Sequence, residues 1–423
     1  MKVVSQIILM LFLNLIPTAS PAFELGKIDM RGQVELPWQY APERANTIFN
    51  PNSVVINNQE HSSLPALRIT PKFSHGPVTL HGDYWLQSLI TKTETEEKFF
   101  SQKSAFNWNV NDQFTVSGGI DFQHWGSGYI WNPSNPFQDR EINFVDRVIS
   151  YKRNGNFFAS LDWAGKNGWS ASLYFVNHRP REKLYGINVE HQNAFALKLN
   201  KQFDNSDVSL TYALLGDTNF IGGSYSTSIG NQLELHGEFS LRDKRRSVLP
   251  EHIAANGQDS FFMLQANKHI DWRAQFLIGG QYTTNNQVNF IFEYLYNGEA
   301  YSEKEYDHLV QGANQSRLQL DSLFAAPSAG FLGESNSLLG SMKRHYLFFR
   351  IADSQLIGKL EGRAFVRYGI QDSSVITGGL LSYPIKNGLN FMLGGQYYGK
   401  ITGSETAAIP FQFVLYSGLT LLF

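Results

Sequence analysis

VTLHGDYWLQ, residues 78–87, alternates strictly between two kinds of side chain. Val78, Leu80, Gly82, Tyr84 and Leu86 share one parity; Thr79, His81, Asp83, Trp85 and Gln87 share the other. A strand sends successive side chains to opposite sides, so a period of two marks a strand with one apolar and one polar face. The dyad returns at Leu233, Leu235, Gly237, Phe239 and Leu241, with Glu234, His236, Glu238, Ser240 and Arg242 between them. It returns over residues 356–368, where Leu356, Gly358, Leu360, Gly362, Ala364, Val366 and Tyr368 alternate with Lys359, Glu361, Arg363, Phe365 and Arg367. A soluble sandwich would alternate too, with its apolar faces in a core. Three features favour a membrane instead. The runs last about ten residues, the length of a tilted transmembrane strand rather than the roughly five or six usual in globular sheets. Aromatic residues (Trp163, Trp169, Trp272, Tyr282, Tyr294, Tyr296 and Tyr397) stand near the ends of apolar faces, where lipid–water girdles need them. Short polar turns, KRNG at 152–155, GKNG at 165–168 and IKNG at 385–388, join neighbouring runs as hairpins. The expected fold is all-β, a transmembrane antiparallel β-barrel, because strands closed into a ring satisfy every backbone group in lipid.

Composition narrows the alternatives. The chain has 423 residues, with 35 Lys and Arg against 37 Asp and Glu, so it has no basic footprint for nucleic acid. It has no Cys, which excludes disulfide scaffolds, thiolate metal sites, cysteine nucleophiles and a lipidated cysteine. At the amino terminus Lys2 precedes an apolar run from Ile7 to Ile16, then Pro17 and a small-residue exit at Ser20, Pro21 and Ala22. That layout predicts a signal peptide over residues 1–22, leaving 23–423 as the barrel. The run is too short for the roughly 20 residues of a spanning helix, and no later stretch approaches that length.

The carboxyl terminus ends on a strand, QFVLYSGLTLLF at 412–423, with Phe413, Leu415, Leu419, Leu421 and Phe423 on one face. Its Tyr416, Gly418, Leu421 and Phe423 resemble the terminal assembly signal of Gram-negative outer-membrane barrels. The resemblance implies the cell outer membrane as location, with lipid and lipopolysaccharide around the wall and the barrel assembly machinery as a partner. Alternation places about 16 to 20 strands along the chain, wide enough for an aqueous lumen. Among them are runs at 142–152, 260–269 and 356–368. One conflict follows. Long loops belong outside and short turns inside, yet counting back from Phe423 puts 298–344 outside and 179–192 and 243–259 on the periplasmic side. The suspects are missed strands at 47–57 or 317–324, or the two runs between 220 and 241.

Function should lie in the lumen and loops, since the outer face is committed to lipid. Glu234, His236, Glu238, Lys359, Glu361, Arg363 and Arg367 are the expected lumen charges, with Asp121, Gln123, Glu293, Arg273 and Gln275 beside them. Mixed signs argue against strong ion selectivity. HWGSGYIWNPSNPFQDR, residues 124–140, is the candidate constriction or ligand loop. Trp125, Tyr129, Trp131 and Phe137 supply rings, Asn132 and Asn135 supply amides, and two Asn-Pro steps stiffen it. Its WG-x-GY and NP-x-NP pattern resembles a loop of porin-like outer-membrane families. Residues 298–344 form a second inward or extracellular loop, with a helix near 302–310 capped by Ser302 and Glu305.

Enzyme signatures are missing: there is no HExxH, P-loop, nucleophile elbow or paired-carboxylate motif. His81, His124, His236 and His345 read as wall histidines, and Glu94, Glu96 and Glu97 as a solvated loop rather than a calcium site. No cofactor is expected. The expected function is a porin-like channel for passive passage of small solutes through a polar lumen; the alternative is a non-conducting barrel serving binding or assembly, of capsule polysaccharide or in envelope export or lipid transfer.

Overall fold

The computed structural model of the chain describes residues 27–44, 46–55, 60–137, 154–178, 192–245, 248–255, 259–266, 270–339, 342–399 and 401–423. Eighteen strands form a closed antiparallel barrel. The first third of the chain contributes β1 (Lys27–Tyr40), β3 (Ala66–His75), β4 (Val78–Thr91), β5 (Thr95–Asn109) and β6 (Phe114–Asp121), with the three-residue β2 (His61–Ser63) extending β3's place between β1 and β4 and not counted among the eighteen. The middle contributes β7 (Asn156–Ala164), β8 (Trp169–His178), β9 (Gln192–Gln202), β10 (Ser206–Leu215), β11 (Thr218–Ile229) and β12 (Leu233–Arg242). A separate hairpin, β13 (Val248–Ala255) and β14 (Asp259–Ala266), intervenes before β15 (Arg273–Thr283) and β16 (Val288–Asn297). After two helices come β17 (His345–Ile357), β18 (Leu360–Gly369), β19 (Val375–Lys386), β20 (Leu389–Tyr398) and β21 (Phe413–Leu422). β12 pairs directly with β15, and β1 pairs with β21 to close the ring, from Gln33 opposite Leu422 to Tyr40 opposite Leu415.

The dyad becomes two environments. Leu80 and Leu235 face outward at 46% and 41% exposure, whereas Trp85, Gln87, His236 and Glu238 on the other parity are buried. The outward band is flanked by rings. Trp163, Trp169 and Tyr282 sit at the short-turn end, and Tyr294, Tyr296 and Tyr397 on outward positions at the other. No described helix is long and apolar enough to cross a membrane. The fold is that of an outer-membrane barrel.

The sidedness conflict traces to one run. The described part of 260–269, within β14, does not enter the wall: β14 pairs with β13, and its alternation buries Phe262 and Leu264 beneath the loop helices. Counting it as a barrel strand inverts the connections between it and β7; β6 pairs directly with β7, so the wall also has no place for a strand at 142–152, and leaving both out of the count sets every earlier connection. With both left out, the connections at 179–191, 243–272 and 298–344 fall at one end with 41–65, 122–155 and 399–412. The suspected errors lay elsewhere: 47–57 contains a 3-10 turn at Pro51–Ser53, 317–324 is a helix end and its link, and the runs between 220 and 241 are both wall strands. The run at 356–368 is also not one strand. β17 ends at Ile357, and Gly358, at φ +62°, and Lys359 make a two-residue turn into β18. Adjacent Leu356 and Ile357 conceal the change of parity. Residues 1–22, the run at 142–152 and 179–191 lie outside the described residues.

The long-loop end carries its own small core. Helix α1 (Glu303–Leu318) begins with the expected capping box, Ser302 and Glu305 each serving the other's backbone. Helix α2 (Ala325–Ser337) follows, built from a Gly- and Ser-rich stretch that shows no helical stripe. Phe262, Leu264, Leu309, Phe331, Leu332 and Met342 pack with Phe49 into one cluster. The buried Arg245 guanidinium ties the base of this cap to Glu305 at 2.6 Å.

Candidate functional site

The segment after β6 turns into the barrel. β17 stands nine strands from β6 in either direction round the 18-strand ring, so it is the opposite wall. The loop reaches it: Tyr129 stacks on Phe348 with ring centroids 6.0 Å apart, and Trp131 meets Phe348 edge-on at 6.2 Å. Nearer its root, Trp125 packs edge-on against Phe137 and Tyr174, both at 5.0 Å. Ala194, Ala196 and Ala213 line the wall there, and their small side chains leave room for these rings.

Two wall carboxylates hold the loop's backbone. Glu238 on β12 accepts from the N–H groups of Ser127, Gly128 and Ser134, the last two at 2.7 and 3.0 Å, and from the Ser134 hydroxyl at 2.8 Å. Glu293 on β16 accepts from the N–H groups of Tyr129 and Ile130, the latter at 3.0 Å. His236 Nε2 lies 3.0 Å from the same Glu293 carboxylate. The register explains the pair: His236 is opposite Gly279, which is opposite Glu293, and a Cβ on Gly279 would run into both side chains. Buried carboxylates need such donors, and turning backbone N–H groups need acceptors. Here each satisfies the other. Asn135 works within the loop, donating from Nδ2 to Gln123 O at 2.9 Å and accepting from Phe137 N–H at 3.0 Å. Asn132 O accepts from Asn135 N–H at 3.1 Å.

The expected lumen charges separate into different roles. Glu238 anchors the loop and His236 supports the other anchor, Glu293, while Glu234 lies toward the short-turn end. Lys359 is in the turn and leaves the wall altogether, so the stripe on β18 is Glu361, Arg363 and Arg367 with Phe365. Arg367 is fully buried and pairs with Glu405 at 3.2 Å, an equally buried carboxylate that also accepts from Tyr346 OH and Met342 N–H. Glu405 arrives from the 3-10 turn Glu405–Ala408 between β20 and β21. No sequence pattern marks it, because its partner is brought by the closure of the ring. Of the acidic stretch at 94–97, Glu96 pairs with Lys98 at 3.1 Å.

The terminal strand has a clear geometry. Tyr416 faces the lumen, its ring against Gly394 and its hydroxyl donating to Gly379 O at 3.3 Å. Gly418 lets β21 approach Pro37 of β1. Leu421 and Phe423 face outward.

Below the loop lies a cavity of about 510 Å³ lined by Gly126 and Ser127 of the loop and by β8 to β11. Lys198, Asn200, Gln202, Ser209, Ser224 and Ser226 are its main polar walls. It reaches the Gly165–Gly168 turn, hence the short-turn end. Lys198, which the alternation test did not single out, sits over the Trp125 ring at 5.4 Å.

No protein-family model and no curated protein sequence matches the chain. Solved structures do. Wzi from Escherichia coli, described as an outer-membrane carbohydrate-binding β-barrel involved in group 1 capsule assembly, is similar at TM-score 0.51 and 10% identity, over 94% of this chain and 85% of that one. OccAB1 from Acinetobacter baumannii is similar at TM-score 0.55 and 9% identity, over 96% and 99%. At such identities the likeness speaks for the fold.

Proposed function

We propose that the protein is an outer-membrane barrel closed on its extracellular half and built to bind a ligand rather than to conduct freely. One observation carries this reading: inward side chains toward the long-loop end are buried around most of the ring, while those toward the short-turn end border open space. On β12 the buried positions begin at His236 and run to Arg242; on β16 they run from Ile291 to Asn297; on β10 they run from Thr211 to Leu215. The loop that spans the lumen, the cap core and the Arg367–Glu405 pair fill that half. A carbohydrate, of the kind named for Wzi, is the ligand class such a polar vestibule suits best. The barrel assembly machinery would read the Tyr416 to Phe423 segment, and lipopolysaccharide would surround the outer band.

The competing reading is a porin-like channel narrowed by the same loop. Planar-bilayer recording separates the two. The intact chain should give no sustained open-channel steps, and deletion of residues 126–137 should produce them. Large, steady steps from the intact chain would overturn the binding reading in favour of transport.

A further inference from the structure

Several lumen cations are paired with carboxylates among the described residues. Arg68 bonds Asp83 and Lys103 bonds Asp121, both at 2.7 Å; Arg242 meets Glu299 at 3.1 Å and Arg367 meets Glu405 at 3.2 Å. Lys198, half-buried on the wall of the 510 Å³ cavity, has no acidic partner within 4.0 Å among the described residues; its neighbour is the face of Trp125. The Glu238 carboxylate acts on Lys198 only through space, its two oxygens being taken by four donors from the loop, so no described acid touches the ammonium directly. A cation withdrawn from bulk water without an anion is costly, and an anion brought by a ligand would relieve that cost.

The rest of the wall specifies what carries the anion. Ser209, Ser224 and Ser226 offer hydroxyls, and Asn200 and Gln202 offer amides, so the surface both donates and accepts hydrogen bonds over a broad area. That chemistry matches a polyhydroxylated molecule. The volume falls within the roughly 300–1,000 Å³ of small-molecule sites. The remaining charge on the wall, Asp207, is exposed at the rim, so a ligand's negative group would be directed inward to Lys198.

Resting on the binding reading above, we propose that this cavity takes an anionic saccharide whose carboxylate or phosphate is held by Lys198. The site faces the periplasmic end, beneath the loop rather than on the cell surface.

The test uses the full chain folded in detergent and titration calorimetry with three probes: trigalacturonate, glucose 1-phosphate and neutral maltotriose. At least one anionic probe should bind, and which one does identifies the charged group. Lys198→Gln should weaken that binding tenfold or more, Lys198→Arg should retain most of it, and maltotriose should be insensitive to both changes. Ser224→Ala, a smaller change to the wall, should weaken the anionic probe a few-fold while leaving the loop packed. Binding unaffected by Lys198→Gln, tighter binding of maltotriose than of both anions, or binding of neither anion would overturn the proposal. Bilayer recording of the unliganded chain judges the binding reading separately, so a silent barrel that fails the calorimetric test refutes the ligand assignment alone.

Discussion

Ser134 donates both its backbone N–H and its hydroxyl to one oxygen of Glu238, at 3.0 and 2.8 Å, and so pins the returning limb of the lumen loop to β12. The other oxygen takes Ser127 and Gly128. Glu238→Ala removes the shared acceptor and leaves several buried donors unsatisfied, at about 1–3 kcal/mol each. Hydrogen exchange over residues 122–137 should accelerate strongly in this variant while wall strands far from β12 stay protected. Glu238→Gln, which retains one carbonyl acceptor, should fall between it and the natural chain.

Gly126→Ala tests the same anchor from the loop side. Gly126 has φ +94°, a conformation disfavoured for residues with a side chain, and an added Cβ would collide with the Glu238 carboxylate and lie 2.8 Å from Asn132 Oδ1. Strain and displacement together should cost about 1–3 kcal/mol. The expected readout is a red-shifted emission from the loop tryptophans, Trp125 and Trp131, as they leave their buried sites; an unshifted spectrum would mean that the loop tolerates the methyl group.

How legible this was depended on whether a residue's partner is local. The wall strands could be read because each alternation is a property of one segment facing lipid on one side. The Trp125 to Phe137 loop also announced itself, through rings and Asn-Pro steps, and the Ser302 cap through its i, i+3 spacing. Helix α2 was hidden because its Gly- and Ser-rich residues pack on Phe262 of a distant hairpin instead of following a stripe. β14 misled for a related reason: burial under helices imposes the same period of two as burial in lipid. His236 and Glu238 were visible as inward polar residues, but their service to the loop depends on which backbone N–H groups arrive. Glu405 and Lys198 had no signal at all; one is defined by a partner 38 residues away in sequence, the other by a ring that the lumen loop carries to it.

Arg367 and Glu405 are both fully buried, so removing either leaves the other charge stranded in a dry mouth. Arg367→Met or Glu405→Gln alone should lower stability by about 3–5 kcal/mol, as broken buried pairs do. The double variant should lose clearly less than the sum. Thermal unfolding in detergent of the four proteins gives this cycle, and simple additivity would show that the two side chains do not stabilise one another.

Burial pushes the Glu334 carboxyl on α2 up to about 7, outside the membrane-spanning strands. The folded cap therefore keeps a proton that the unfolded segment releases near its ordinary value of 4.5. The contribution is fully present below that value, declines as pH rises, and is lost once pH passes about 7. Protection factors for residues 325–337 should be higher at acidic than at neutral pH. Glu334→Gln, neutral throughout, should remove the dependence; a slope that survives this change would assign it to another group.

The Phe423 ring fills the space that a side chain on Gly32 would need, and the two residues exchange backbone hydrogen bonds at 2.7 and 3.0 Å across the seam of the barrel. A terminal aromatic in that position could serve the closed structure, an assembly factor, or both, and two substitutions distinguish these roles. Gly32→Val expels the ring while leaving the terminal sequence intact, so it should impair closure wherever the chain folds. Phe423→Ala removes the ring from a seam that is still held by the β1–β21 ladder, so refolding from urea into detergent should proceed. In cells the same variant should accumulate unfolded if the terminal ring is what the assembly machinery recognises. Heat-modifiability on gels reads the folded fraction in both settings. Equal folded fractions of Phe423→Ala in detergent and in cells would restrict Phe423 to a structural role and remove the recognition role from the Tyr416 to Phe423 segment's last residue.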